Sequence, residues 1–180
     1  MEINLMESDD SSIEDVTSLH RERVLQLTIP FPPLAQQRPR SSRRSNHRYS
    51  PSAPQQQRIR TWIQENTRDT AFEAPFSAND RVIIKVWYFM PRPVNDFTNR
   101  DRNRLRSDCR DSPWVPVHPD IDNYIKFTLD ALRGVVLNDD RQVVSIYAWK
   151  RRDNDGLCKG KTKVEVRLFN PRLDYSDPVF

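Results

Sequence analysis

Between His118 and Ser145 the chain reads HPDIDNYIKFTLDALRGVVLNDDRQVVS. Apolar Ile125, Leu129 and Leu132 recur at helical spacing, and Gly134 stands where a left-handed stop residue would end a helix. A β-branched run then begins at Val143. This predicts a helix over 122–132, a tight turn, and a strand over 143–149. Asp122 is a candidate N-cap, able to accept free N–H groups of the first turn. Ile121 is expected to point into the core with Ile125, Leu129 and Leu132, so that Asp120 and Asp122 aim the same way. Lys126 lies one turn beyond Asp122 on the same helix face. The turn Asn138-Asp139-Asp140 leads into the strand. If that strand packs beside the helix, one of its acids can reach the Asp120/Asp122 pair.

Carboxylates crowded this way repel one another. At about 5 Å and an effective dielectric near ~20, each pair costs roughly 3 kcal/mol. A divalent cation removes that cost. Hard oxygen donors with no Cys or His among them favour Mg2+ or Mn2+ over zinc. A lysine placed among the acids suits a phosphate substrate. Asn123 is a candidate orienter of a carboxylate. Each acid also has a plainer reading. Asp122 can be an N-cap only, Asp122 and Lys126 a surface ion pair, and Asp139-Asp140 ordinary turn residues. Asp130, two turns from Asp122, fits a solvated helix face or a structural bond better than a ligand position. The joint occurrence of the acids beside a lysine is what favours chemistry.

The net charge of +4 hides an asymmetry. Residues 1–20 carry Glu2, Glu7, Asp9, Asp10, Glu14 and Asp15 and no Lys or Arg; removing those six acids leaves 29 basic against 19 acidic residues, a net +10. A basic body around an acidic spot suits a polyanion held at a metal centre. Two cysteines are too few for a disulfide framework or a cysteine zinc site. No apolar run approaches the ~20 residues that span a bilayer. The acidic start lacks the features of a secretory signal, so an intracellular, unsecreted protein without a membrane partner is expected.

Residues 1–20 read as a disordered acidic tail, 21–170 as one domain, and 171–180 as a frayed C-terminal tail. Further strands are expected over 24–29, 81–90 and 161–168, and a helix over 55–68 carrying Ile59, Trp62 and Ile63. Two basic loops, 36–54 and 91–119, join them. This order predicts a compact α+β fold, a small mixed sheet with two main helices.

The run from Asp120 to Val143 resembles the signature of the RusA-type Holliday junction resolvases, roughly DxDNxxK, then DAL, then DDxQV or DDxQI. The chain matches it at Asp120, Asp122, Asn123, Lys126, Asp130, Ala131, Leu132, Asp139, Asp140, Gln142 and Val143. Pro30-Phe31-Pro32-Pro33 after the first strand resembles the family's Pro-rich exit, and the likeness covers roughly residues 24–169. It implies a symmetric homodimer acting on branched DNA. It implies metal-binding acids at Asp120, Asp122 and Asp140, with Asp139 the adjacent acid, and an essential lysine at Lys126. The expected activity is Mg2+-dependent phosphodiester hydrolysis at four-way junctions in recombination and repair. The metal would activate water, Lys126 would steady the phosphate, and Asn123 and Asp139 would support. Arg43, Arg44, Arg48, Arg102, Arg104 and Arg106 are candidate contacts to the DNA backbone, or else solubilising charge. The rival readings are a nuclease of other branched DNA and a branched-DNA-binding protein without turnover. A Ca2+-stabilised domain is disfavoured by the absence of EF-hand spacing.

Overall fold

The computed structural model describes residues 24–41, 48–67, 76–98, 104–109, 118–155 and 159–174. In chain order the elements are β1 (Val24–Ile29), a two-residue pair β2 (Arg40–Ser41) and β3 (Arg48–Tyr49), α1 (Ala53–Thr67), β4 (Val82–Met90), α2 (Ile121–Leu132), β5 (Val143–Arg152), β6 (Lys161–Leu168) and a helical turn α3 (Pro171–Asp174). The main sheet has the order β1-β6-β4-β5. β6 pairs antiparallel with both β1 and β4, while β4 and β5 run parallel. Parallel neighbours need a crossover, and α2 supplies it. The sheet is thus mixed and the fold α+β, as expected.

The core lies between the helices and one face of the sheet. β1 alternates, burying Leu25, Leu27 and Ile29. Those side chains meet Val164 and Val166 of β6, Val82, Ile84, Val86 and Tyr88 of β4, Ile59 and Ile63 of α1, and Tyr124, Phe127, Ala131 and Leu132 of α2. The Tyr88 hydroxyl lies 3.0 Å from Thr128 Oγ1, both residues buried, which ties sheet to helix. Burial pushes the Tyr88 phenol well above its ordinary range.

Helix α2 departs from expectation in its start and its rotation. Its first residue is Ile121, so Asp120 rather than Asp122 occupies the N-cap position, and it makes no side-chain cap bond. The buried stripe is Tyr124, Phe127, Thr128, Ala131 and Leu132, so Leu132 is in the core as expected, while Ile121 is 38% exposed and Ile125 and Leu129 pack against the core only partly covered. Tyr124 and Phe127 carry large rings into the core, and their burial accompanies this rotation of the helix. Asp122 and Lys126 consequently stand on the side away from the sheet.

The expected frayed end is also corrected in part. Residues 171–174 form a helical turn held to β6, where Asp174 accepts from Arg167 at 2.6 and 2.8 Å and from the Asn170 N–H at 2.8 Å. Residues 1–20 and 175–180 lie outside the described residues. Arg167, then the Asn170 amide, hold the Asp174 carboxyl at about 2, below its ordinary 3.8. A group whose folded value is depressed stabilises the fold above its unfolded value and loses that contribution as pH falls. The melting-temperature deficit of Asp174→Asn should therefore be full above pH ~4 and vanish toward pH ~2. A deficit constant across that range in a calorimetric titration would contradict this.

Candidate functional site

Because α2 runs back along the parallel strands, its N-terminus lies at their C-terminal end. The segment before it is fixed by Lys150 near the end of β5, whose Nζ donates to the Pro119 carbonyl at 2.9 Å. The same ammonium stands 5.8 Å from the Tyr124 ring centroid. Asp120, with its side chain 72% exposed, has its Oδ1 3.3 Å from His118 Nδ1. Asn123 Nδ2 donates to Asp122 Oδ1 at 3.1 Å, and the Asn123 carbonyl accepts the Gln36 N–H at 2.8 Å. Asn123 therefore touches the carboxylate it was expected to orient, and it also anchors the chain leaving β1. Lys126 is exposed, and among the described residues it makes no ion pair with Asp122.

Asp139 and Asp140 sit at the other end of α2. Arg133 ends the helix, Gly134 follows with φ 83°, and the chain turns into a single 3-10 turn over Asp140–Gln142. Asp139 caps that turn by accepting from the Arg141 N–H at 3.1 Å, and it holds the Arg141 guanidinium at 2.8 Å. These donors, the Arg141 amide first, hold the Asp139 carboxyl at about 2, below its ordinary 3.8. Asp140 is the exposed, less engaged acid of the pair.

A twelve-residue helix spans roughly 18 Å, so Asp140 stands far from Asp120 and Asp122 of its own chain. Among the described residues no three His, Cys, Asp or Glu side chains converge to hold a metal ion. This corrects the expectation that an acid of the 138–140 turn would reach the Asp120/Asp122 pair. The strand does pack beside the helix, but its acids lie at the wrong end. Asp130 serves structure, accepting from Gln56 Nε2 at 3.2 Å and offering its carbonyl to Arg60 at 2.5 Å.

Of the candidate DNA-contacting arginines, Arg43, Arg44 and Arg102 lie outside the described residues. Arg48 and Arg104 are exposed. Arg106 is bound to Asp108 at 2.9 Å, both largely exposed, a pair weak enough for a phosphate to displace. Arg104 and Arg106 stand on a short returning limb, where the Arg106 N–H meets the Asp96 carbonyl at 2.9 Å and Phe97 bridges Leu105. Its root is the buried Arg92, which binds Asp96 at 3.1 Å, the Cys109 carbonyl at 2.7 Å, and Asn154.

Two residues take on roles that spacing did not reveal. Lys150 belongs to the Asp120 end only because β5 finishes there. Gln142, buried, knots the acidic turn to the loop before β4. Its Oε1 accepts from the Asn138 and Asp139 N–H groups at 2.8 and 3.1 Å, and its Nε2 donates to the Ser77 and Asp80 carbonyls at 2.5 and 3.1 Å. The one available signal for Gln142 was its fixed place after the acid pair. Gln142→Met keeps the volume but strands these groups, so denaturant titration should show a loss of roughly 2–4 kcal/mol. A change under about 0.5 kcal/mol would refute the knot.

The sequence matches the family described as Endodeoxyribonuclease RusA over residues 30–170. It is also 28% identical over 126 residues to an uncharacterized protein, YqaN, of Bacillus subtilis (strain 168), a match covering 68% of this chain and 83% of that protein. No helix among the described residues is long and apolar enough to cross a membrane. With two helices packed on a mixed four-stranded sheet and the family match spanning most of its length, the chain belongs to the RusA endodeoxyribonucleases, the family of Holliday junction resolvases.

Proposed function

We propose that this endodeoxyribonuclease cuts four-way junctions with Mg2+, or Mn2+ in its place, held by Asp120, Asp122 and Asp140, and that two copies of the chain complete each site. The observation that carries this is the separation of the acids by the whole of α2. One chain offers Asp120 and Asp122 at one end and Asp140 at the other. The donors suit a hard cation: all are carboxylate oxygens near the surface, and Asn123 fixes one oxygen of Asp122 while leaving the second open.

A symmetric second copy has a natural seat. Among the described residues β5 is an edge strand, so one row of its backbone groups has no ladder partner there. Above that edge, on the side of α2 away from α1, runs a partly exposed apolar shoulder of Ile121, Ile125 and Leu129. Val144 of β5 is 47% exposed. Pairing β5 antiparallel with its copy covers both features through an isologous contact. It also brings the start of one strand, with Asp140, to the end of the other, where Lys150 holds the segment bearing Asp120. Two equivalent sites then face opposed strands of a junction.

Within such a site each residue has a defined task. The metal, when bound, supplies the Lewis acidity that makes water nucleophilic at neutral pH. Asn123 fixes the Asp122 carboxylate, and Lys150 fixes the turn that presents Asp120. Lys126, without a carboxylate partner among the described residues, contacts a non-bridging phosphate oxygen and stabilises the added negative charge of the pentacovalent transition state. Arg48 and Arg104, with Arg43, Arg44 and Arg102, contact backbone phosphates away from the cut. A nuclease of junction DNA works inside the cell.

On a labelled four-way junction with Mg2+, Asp122→Asn is expected to abolish paired cuts while retaining junction binding. Undiminished cleavage by that variant would end the scheme. Subunit mixing tests the shared site. Asp122→Asn and Asp140→Asn chains, each inactive alone, should recover about a quarter of wild-type nicking when co-refolded, because half the dimers hold one intact site of two. Sites built within single chains would give no recovery.

A further inference from the structure

The sheet has a second face, opposite the helices, and no helix among the described residues packs on it. Trp87 of β4 stacks on its register partner Trp149 of β5, with centroids 5.1 Å apart and planes 13° from parallel. Tyr147, 50% exposed, continues the row at 6.3 Å and 15°. On the far side of Trp87, toward β6 and β1, lies a cleft of about 390 Å³. Trp87 and Phe89 wall it, and Arg151, Lys163, Glu165 and Gln26 line it. Lys161 and Lys163 place their ammonium groups 5.3 and 5.6 Å from the Phe89 centroid. The single acid of the cleft is already engaged, with Glu165 bound to Lys85 at 3.0 Å and to Gln26 at 3.1 Å.

We propose that this face binds unpaired nucleotides of single-stranded DNA, with a base against Trp87 and Phe89 and the flanking phosphates on Lys163 and Arg151. The volume suits one nucleotide. Aromatic side chains set in a cationic groove stack on bases of any identity. Duplex DNA hides its base faces within its own stack, so the aromatic row discriminates for unpaired strands. Glu165 offsets Lys85 and Asp155 offsets Lys161, but the cleft itself sets Lys163 and Arg151 against that one, already engaged acid, and this positive charge favours a polyanion over a second copy of the same face. The surface is separate from Asp120, Asp122 and Asp140. It would hold strands that open at a branch point.

The test uses the full-length protein in EDTA, so that no cleavage enters the measurement. An oligo-dT strand should quench tryptophan fluorescence. By anisotropy, Lys163→Glu and Trp87→Leu should each weaken its binding about fivefold or more, while Trp87→Phe retains it. Circular dichroism and melting temperature confirm that each variant is folded. Duplex of equal length should be affected less than twofold by Trp87→Leu. Unchanged oligo-dT affinity in both Lys163→Glu and Trp87→Leu overturns the proposal, as does equal weakening on duplex by Trp87→Leu. A fall to half the sedimenting mass also overturns it, because the face would then belong to a second copy. Junction cleavage by wild-type protein is read separately, and its failure would not bear on this surface.

Discussion

The parallel pairing of β4 with β5 governs the rest of the molecule. Nine register pairs join these strands, and the chain can enter β5 in that direction only after crossing back over the sheet. α2 makes that crossing. It therefore has one end beside the strand exits and the other beside the strand starts. The acidic residues, close in sequence, are sorted to opposite ends. The same crossing packs Tyr124, Phe127 and Ala131 onto the sheet and leaves β5 as an edge. The distribution of charge and the exposed edge thus have one cause.

The acids also divide by local duty. Asp139 is committed to its turn through Arg141, and Asp130 to α1 through Gln56. Asp120 holds an N-cap position without capping, and Asp140 lies exposed beside an acid that is already engaged. Local structure thus makes little use of Asp120 and Asp140, and Asp122 is met by the side chain of Asn123. Buried Gln142 shows the opposite case, a polar side chain whose oxygen and nitrogen each serve two backbone groups.

Much of the architecture is legible in the sequence. Alternating Val164, Val166 and Leu168 marked β6, β-branched and aromatic content marked β4, a β-branched run marked β5, the Pro30–Pro33 run marked the end of β1, and Gly134 marked the end of α2. What periodicity could not rank was Tyr124 and Phe127 against Ile121 and Leu129, since all are apolar enough to bury. Nor could it reveal whether β5 runs with or against its neighbour, and that choice decides where Asp140 falls. The family was legible through the spacing from Asp120 to Val143. The placement of the acids relative to one another was not, because it depends on strand direction rather than spacing. α3 was missed because its hold on β6 comes from the Arg167–Asp174 pair, which no apolar pattern announces.

The buried Arg92 gives the limb carrying Arg104 and Arg106 a fixed root. By binding Asp96, Asn154 and the Cys109 carbonyl together, it ties positions seventeen apart in sequence at the base of that limb. Conformational freedom at that root is given up during folding rather than on binding a ligand. A polyanion meeting this limb has less chain to order than it would on a free tether. Its binding should then depend more on ion release and less on conformational entropy, so that salt rather than temperature becomes the main variable controlling affinity.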